Sequence, residues 1–295
     1  MLWLAAFLLS LPLVGVYAIF AIGIVLIYRA SKVLNLAHGV MATAPAYILY
    51  TLDSVGLPLA LSLPLAVASG GALGWAVERV FVRPFRKLGA TAQTVGTVVV
   101  LGLGIALMAR LWGTSALEAV TVFPQGHIGV DLSNIRFGEI GLFAAMLAIF
   151  AGLTALFRYT ELGLLLRGAA ENPTAAALHG VNPQRMTALT WVIGGALAGI
   201  AGILLAAVTV LQPYTLPLQA LPGFLAALIG GLGSVTGGLV GAAAVGLVIG
   251  LVPFLPVLGT TQGAAQLLLA VGAMIIMASR GTRLSTAETS SGLGT

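Results

Sequence analysis

Apolar residues run along this chain in long blocks that charged residues interrupt only at intervals. Charge-free windows cover Met1–Tyr28, Val33–Leu52, Ser54–Val77, Leu88–Ala109 and Ile140–Phe157. A longer block, Met186–Ser279, holds no charged residue over 94 positions. A helix needs about 20 apolar residues to cross the hydrocarbon core of a bilayer, so each window predicts one crossing and the long block about four. The regular short segments of alternating polarity that mark a membrane barrel are missing. A helix satisfies its own backbone in lipid, so the pattern predicts an all-α polytopic membrane protein. The apolar opening has no basic start and no small-residue cleavage site, and it reads as a first span that is retained.

The charges that punctuate these blocks predict an orientation. Eleven of the thirteen basic residues fall in alternate connections: Arg29 and Lys32; Arg79, Arg83, Arg86 and Lys87; Arg158, Arg167 and Arg185; Arg280 and Arg283. The other side holds Arg110 and Arg136, with Asp53, Glu118, Asp131 and Glu139. The positive-inside rule then puts the N-terminus outside and the C-terminus in the cytoplasm. Pro213, Pro217 and Pro222 break the long block around an outer turn, and Pro253 and Pro256 break it again. Between them, Gly230-Gly231-Leu232-Gly233-Ser234 predicts a helix end near mid-membrane. About eight transmembrane helices result, as seven crossings plus a re-entrant pair or as nine crossings. Residues 1–283 read as one transmembrane domain with a cytoplasmic loop at 158–185. Residues 284–295, rich in Ser, Thr and Gly, read as a flexible tail.

Composition removes the other classes. Only 7% of the residues are charged, against about 25% in a soluble domain. Hydrophobic residues make up 59% and mean hydropathy is +1.10. A soluble enzyme, a nucleic-acid binder and a disordered chain are excluded, because so much apolar surface would aggregate in water. The isoelectric point near 10 comes from the orienting arginines and lysines. With no cysteine, disulfides and thiol chemistry are absent.

Two segments carry candidate chemistry. Asn35, His38 and Gly39 sit inside an apolar window, where polar side chains are costly unless satisfied or lining a cavity. A break at Gly39 would leave a helix N-terminus part-way through the bilayer, able to meet a carboxylate. The same residues could instead bond to neighbouring helices and only lock the fold. His127 and His179 stand in other loops without metal-ligand spacing. The second segment is the loop 158–185. Asn172 and Pro173 are a helix-starting pair, Ala175, Ala176 and Ala177 favour helix, and Gly180 ends it. Asn182-Pro183 opens the next helix in the same way. A short helix across the cytoplasmic side, with small residues outward, suits another protein's groove, although packing on its own subunit would also explain it. Elsewhere Gly70/Gly74, Gly195/Gly199, Gly237/Gly241 and Gly246/Gly250 are spaced for close helix packing. No phosphate-binding loop is present, and the acids sit at the ends of spans. Neither ATP chemistry nor ion coupling is visible, so energy for uphill movement would come from another subunit.

Five pieces now fall in order along nearly the whole chain. They are Leu34-Asn-Leu-Ala-His-Gly39, Glu78-Arg-Val-Phe-Val-Arg-Pro84, Gly163 through Arg185, Gly194-Gly-Ala-Leu-Ala-Gly-Ile-Ala-Gly202 and Leu228-Ile-Gly-Gly-Leu-Gly-Ser-Val-Thr-Gly-Gly238. Together they resemble a permease subunit of the branched-chain amino-acid ABC importer family. The family more often has Phe where Leu36 stands and Pro near Thr236, which bears on the solute. The resemblance implies a non-enzymatic subunit of a bacterial inner membrane, translocating branched-chain amino acids between two permeases. Its partners would be a second related permease, alike or different, two cytoplasmic ATPases and an outer solute-binding protein. ATP and Mg would be bound by the ATPases, and this chain would hold no cofactor. Glu171, Asn172, Pro173, Thr174, Ala175, Ala176, Ala177 and Gly180 would couple to the ATPase, with Glu171 and Arg185 offering charges. Asn35, His38, Gly39, Gly230, Gly231, Gly233 and Ser234 would lie near the path. Urea or short amides are the alternative cargo, and a self-sufficient channel or secondary carrier is the alternative class.

Overall fold

The computed structural model describes residues 2–124, 126–130, 133–261 and 263–291. Met1, Asp131 and the last four residues of the expected tail, 292–295, lie outside the described residues. The first five helices are α1 Leu2–Ser31, α2 His38–Ser54, α3 Leu59–Ala76, α4 Ala90–Trp112 and α5 Phe137–Tyr159. Two short ones follow, α6 Glu161–Glu171 and α7 Pro173–Leu178. The long uncharged block contains α8 Pro183–Ala206, α9 Leu221–Gly230 and α10 Val235–Leu251, and α11 Ala264–Ser291 starts within it. Between α4 and α5 a small antiparallel hairpin pairs β1 His127–Val130 with β2 Ser133–Arg136, an addition to the all-helical expectation. The backbone of 284–291, expected to be loose, continues α11.

Among the described residues, six helical stretches are long and apolar enough to cross a membrane. They are Ala6–Ser31, Leu59–Val82, Ala90–Trp112, Ile140–Tyr159, Pro183–Ala206 and Val235–Phe254. The chain is thus an all-α polytopic membrane protein apart from the hairpin. The remaining apolar segments are shorter because the backbone breaks inside them. The second span, expected from Val33, begins as helix only at His38, and α9 has 10 residues.

The fold is built around α1, whose residues Val16 to Ile27 are buried among α5, α8, α9 and α10. The glycine pairs sit at the helix crossings. A methyl group on Gly70 would come within 2.6 Å of the Gly195 carbonyl oxygen, and one on Gly74 would strike that of Trp191. Gly246 and Gly250 of α10 press against Val14 and Ser10 of α1, and Gly237 meets the Gly230 carbonyl across the α9–α10 turn. Where neighbouring apolar side chains give no net drive, as between lipid-facing helices, such backbone approach supplies the packing energy. Outward faces are leucine-rich; Leu103, Leu107 and Leu111 of α4 are all more than half exposed.

Past Ala76, α3 continues as one wide π-turn, Val77–Val82, closed by the Arg83 N–H donating to the Glu78 carbonyl at 2.7 Å. Such turns hold one residue more than an α-helix does.

The two ends of the molecule differ. At one, the Trp112 indole N–H donates to Thr51 Oγ1 at 2.8 Å, and the stretch after α8 pairs with that after α4 through Leu211 and Leu117. At the other, Arg29, Arg158, Arg167 and Thr236 line one cavity, so α1 and α5 end where α10 begins. The glycine turn at 231–234 therefore lies at this arginine end, not half-way through the span as expected. The reason is length: α10 packs along α1 from Gly238 against Val25 to Gly250 against Ser10, which is most of a crossing.

Candidate functional site

Two crossings are interrupted, and their interruptions meet. After α1, Lys32 turns the chain back into the protein in the left-handed region, with φ of 58°. Residues 33–37 then run without helix, which leaves backbone groups to satisfy. The Leu36 N–H donates to Thr97 Oγ1 at 3.0 Å and the Leu34 N–H to Thr94 Oγ1 at 3.3 Å. The same Thr97 hydroxyl lies 3.2 Å from the Leu34 carbonyl oxygen. Two threonines one turn apart on α4 thus replace the hydrogen bonds a helix would have supplied, as irregular backbone at membrane depth requires. The second interruption follows α8, where residues 207–217 are irregular until a 3₁₀ turn at Leu218–Ala220 leads into α9.

Gly39 joins the two. A methyl group there would collide with the Pro217 carbonyl oxygen and come within 3.1 Å of its Cα, so only glycine lets the start of α2 touch the turn before α9. The depth follows from α1. His38 packs on Gly23, eight residues before the end of α1, so at about 1.5 Å per residue the contact lies about 12 Å inside that end. Two helix N-termini, of α2 and of the 3₁₀–α9 stretch, therefore converge inside the bundle and bring the partial positive charge of their dipoles with them, although the first N–H groups of the 3₁₀ turn, Leu218 to Ala220, already donate to carbonyls of residues 215–217.

His38 sits at this junction and is fully buried. Its ring stands edge-on to Phe20 and Phe224, with centroids at 5.9 and 6.3 Å. Neither ring nitrogen has a hydrogen-bond partner, and Asn35 Oδ1 beside it has none either. The Asn35 amide donates only to Met41 Sδ, at 3.2 Å, a weak acceptor. The alternative in which these side chains lock the fold by bonding to neighbouring helices is not what the geometry gives. An unpartnered buried polar group costs about 1–3 kcal/mol, which the edge contacts of the His38 ring with Phe20 and Phe224 offset without any hydrogen bond.

The expected site residues divide into three places. Asn35, His38 and Gly39 are together. Gly230, Gly231, Gly233 and Ser234 are at the arginine end, where the Ser234 side chain caps α10 by accepting from the Gly237 N–H at 3.0 Å. Phe224, on α9 ahead of that turn, is the residue that reaches His38.

The third group forms an exposed projection. The Thr160 hydroxyl caps α6 by accepting from the Gly163 N–H at 3.0 Å. Asn172 Oδ1 accepts from the Ala175 N–H at 2.9 Å, and Gly180, with φ of 80°, ends the turn. Asn182 Oδ1 accepts from the Gln184 and Arg185 N–H groups at 3.0 and 3.1 Å and starts α8. Pro173, Thr174 and Ala177 are exposed, whereas Ala175 and Ala176 are half-buried. Leu178 is 84% exposed, so the outward surface carries one large apolar side chain as well as small ones. Glu171 already pairs with Arg29 inside the chain, at 3.6 Å.

Sequence reasoning missed several contributors. Thr94 and Thr97 left a signal in their three-residue spacing inside an apolar window. Phe20 and Phe224 left none, because their roles come from contacts between distant segments, and Pro217 was marked only as a break in the long block. Glu78, in the last turn of the span Leu59–Val82, is buried and pairs with Arg86 at 3.2 Å, while Arg83 donates to Gln184 Oε1 at 2.8 Å beside the foot of α8. Among the described residues no cluster of His, Asp or Glu could hold a metal ion.

The profile of the family described as "Branched-chain amino acid transport system / permease component" matches residues 6–279. The high-affinity branched-chain amino acid transport system permease protein LivH of Salmonella typhimurium is 30% identical over 255 residues, 79% of each chain. LivH of Escherichia coli is 29% identical over 252 residues, 80% of each chain. More distantly, the fructose import permease protein FruF of Bifidobacterium longum is 25% identical over 253 residues, 79% of this chain and 66% of that protein. No solved structure matches the chain. With its profile covering all but the two ends, this polytopic chain belongs to the family of branched-chain amino acid transport permease components.

Proposed function

We propose that the chain is the membrane subunit of an ATP-driven importer in a bacterial cytoplasmic membrane and that it carries branched-chain amino acids inward. The observation that carries this reading is the meeting of two broken crossings at Gly39 and Pro217 around the unpartnered His38. Converging helix N-termini inside a bundle suit a solute's carboxylate, and the flanking Phe20 and Phe224 suit an aliphatic side chain. The branched-chain cargo of the LivH relatives supports the same solute class.

The path runs past Asn35, His38 and Gly39, with the α9–α10 hairpin as one wall. The arginine end faces the cytoplasm by the positive-inside rule. Counting the irregular stretch and α9 as one passage gives nine crossings, with the N-terminus outside. α7, from Pro173 to Leu178 with Glu171, Asn172 and Gly180 at its borders, is the handle that seats in a partner ATPase. A second related permease and an outer binding protein complete the machine. ATPase closure moves α7, and the short helices beside His38 open alternately to the two sides.

Uptake of labelled leucine in the host, with and without the chain, tests this. Loss of leucine uptake is the expected result. Unchanged leucine uptake with loss of fructose or urea uptake would instead favour the second reading, another small polar solute, which the likeness to the fructose permease motivates. Flux through the isolated chain in vesicles without an ATPase would refute the partnered machine.

A further inference from the structure

Beside α1, on the side away from α2, two cavities join. The larger, of about 490 Å³, lies between α1, α5, α6, α8 and α10 at the arginine end. The smaller, of about 250 Å³, continues along α1 and α5 and shares Ile22, Phe150 and Leu239 with it. The joint groove follows α1 from Val14 to Ala30. At 1.5 Å per residue that is about 24 Å, longer than the roughly 15 Å of hydrocarbon in one leaflet. Its walls are almost wholly apolar, with Leu26, Leu153 and Phe157 in the wide part.

One end is different. Arg29, Arg158 and Arg167 line the wide mouth together with Thr154, Thr190 and Thr236, and no acid lines it. Arg29 is engaged by Glu171. Arg158 and Arg167 take part in neither of the two ion pairs among the described residues. Arg167 reaches only the Gly163 carbonyl, at 3.4 Å, and Arg158 lies over the Tyr159 ring. Arginines grouped at the ends of membrane helices recognise phosphate oxygens, and a long apolar trough leading away from them has no use for a small soluble ion.

We infer that this groove is a binding site for an anionic membrane phospholipid, with its phosphate held by Arg158 and Arg167 and one acyl chain laid along α1 between α5 and α10. The site is separate from His38 and does not depend on which solute the protein carries. It secures α5 and the root of the 158–185 loop to α1 through lipid, where α5 otherwise touches α1 over a limited surface.

The test is lipid retention by the full chain purified from vesicles of equal phosphatidylglycerol and phosphatidylcholine, read by native mass spectrometry. Wild type should keep phosphatidylglycerol in clear preference. Arg158→Gln with Arg167→Gln should lose roughly a twenty-fivefold preference, at about fivefold for each basic residue near an anionic headgroup. Leu153→Trp, which leaves both arginines and fills the trough, should release the lipid. Equal retention of the two lipids by wild type, or full retention by both variants, would overturn the site. Displacement of the lipid by 10 mM inorganic phosphate alone would also overturn it, in favour of a simple anion site.

Discussion

His38→Leu separates a histidine that serves the path from one that serves the fold. The wild-type ring has two unpartnered nitrogens, and removing that burden returns about 1–3 kcal/mol. The substitution also forfeits edge contacts with Phe20 and Phe224, at about 0.5–1.5 kcal/mol each. The two effects are of equal size, so stability should stay within about 2 kcal/mol of wild type. A change of 1 kcal/mol moves melting by about 2–4 °C for chains of 150–250 residues, so the shift should stay within about 8 °C. Transport, in contrast, should fall by at least an order of magnitude on the proposed path, where the free ring nitrogens would meet the solute. The assay is twofold: thermal unfolding of the purified chain in detergent, and ATP-driven leucine uptake by vesicles holding the chain with its ATPases. Uptake at the wild-type rate would refute the placement of His38 on the path. A collapse in melting temperature would refute the claim that its nitrogens bond to nothing in the fold.

Gly39→Val drives a side chain into the Pro217 carbonyl, and overpacking of this kind costs about 1–3 kcal/mol. Melting should drop and leucine uptake should stop, while Gly102→Val, at a glycine with open space around it, should leave both unchanged. Thr97→Val preserves shape but strips the hydroxyl from the Leu34–Leu36 stretch; one unmet backbone group costs about 1–3 kcal/mol. Faster amide hydrogen exchange confined to residues 33–38 is the expected signature. Asn172→Ala removes the α7 cap, worth about 0.5–2 kcal/mol to that helix alone. Global melting should hold, and solute-stimulated ATP hydrolysis by the assembled transporter should fall.

How far the sequence carried the fold depended on whether a signal was local. The ends of α4 and α5 fell within a few residues of the charges that bound their windows, because a charge at a span end is a local cost. Asn172, Pro173 and Gly180 marked α7 for the same reason: caps act on their own backbone. The glycine pairs announced close crossings, though not that Gly74 would meet Trp191 or Gly246 would meet Val14. The Asn35–Gly39 break was legible as a polar intrusion, and the helix does start at His38. Its counterpart at Pro217 was misread, because three prolines mark a disruption without giving its depth. The glycine turn at 231–234 was placed half-way for the same reason; only the packing of α10 along α1 fixes its level. Glu78 was legible as an acid at a span end but not as a buried one, since its burial comes from the packing around the π-turn Val77–Val82, which no local residue pattern announced.

That change of helix type has a consequence of its own. The wide turn at Val77–Val82 gives the third span a surplus of one residue over its rise. One residue subtends about 100° around a helix axis, so everything beyond Glu78 is turned by that angle from where a regular spiral would put it. The turned frame brings Arg86 back to Glu78 and lets Arg83 reach Gln184. Excising a single residue here would barely alter hydropathy or span length, yet it would swing both arginines to the wrong compass bearing. The link between the third span and the base of the projecting loop is thus one of phase, set by counting rather than by chemistry.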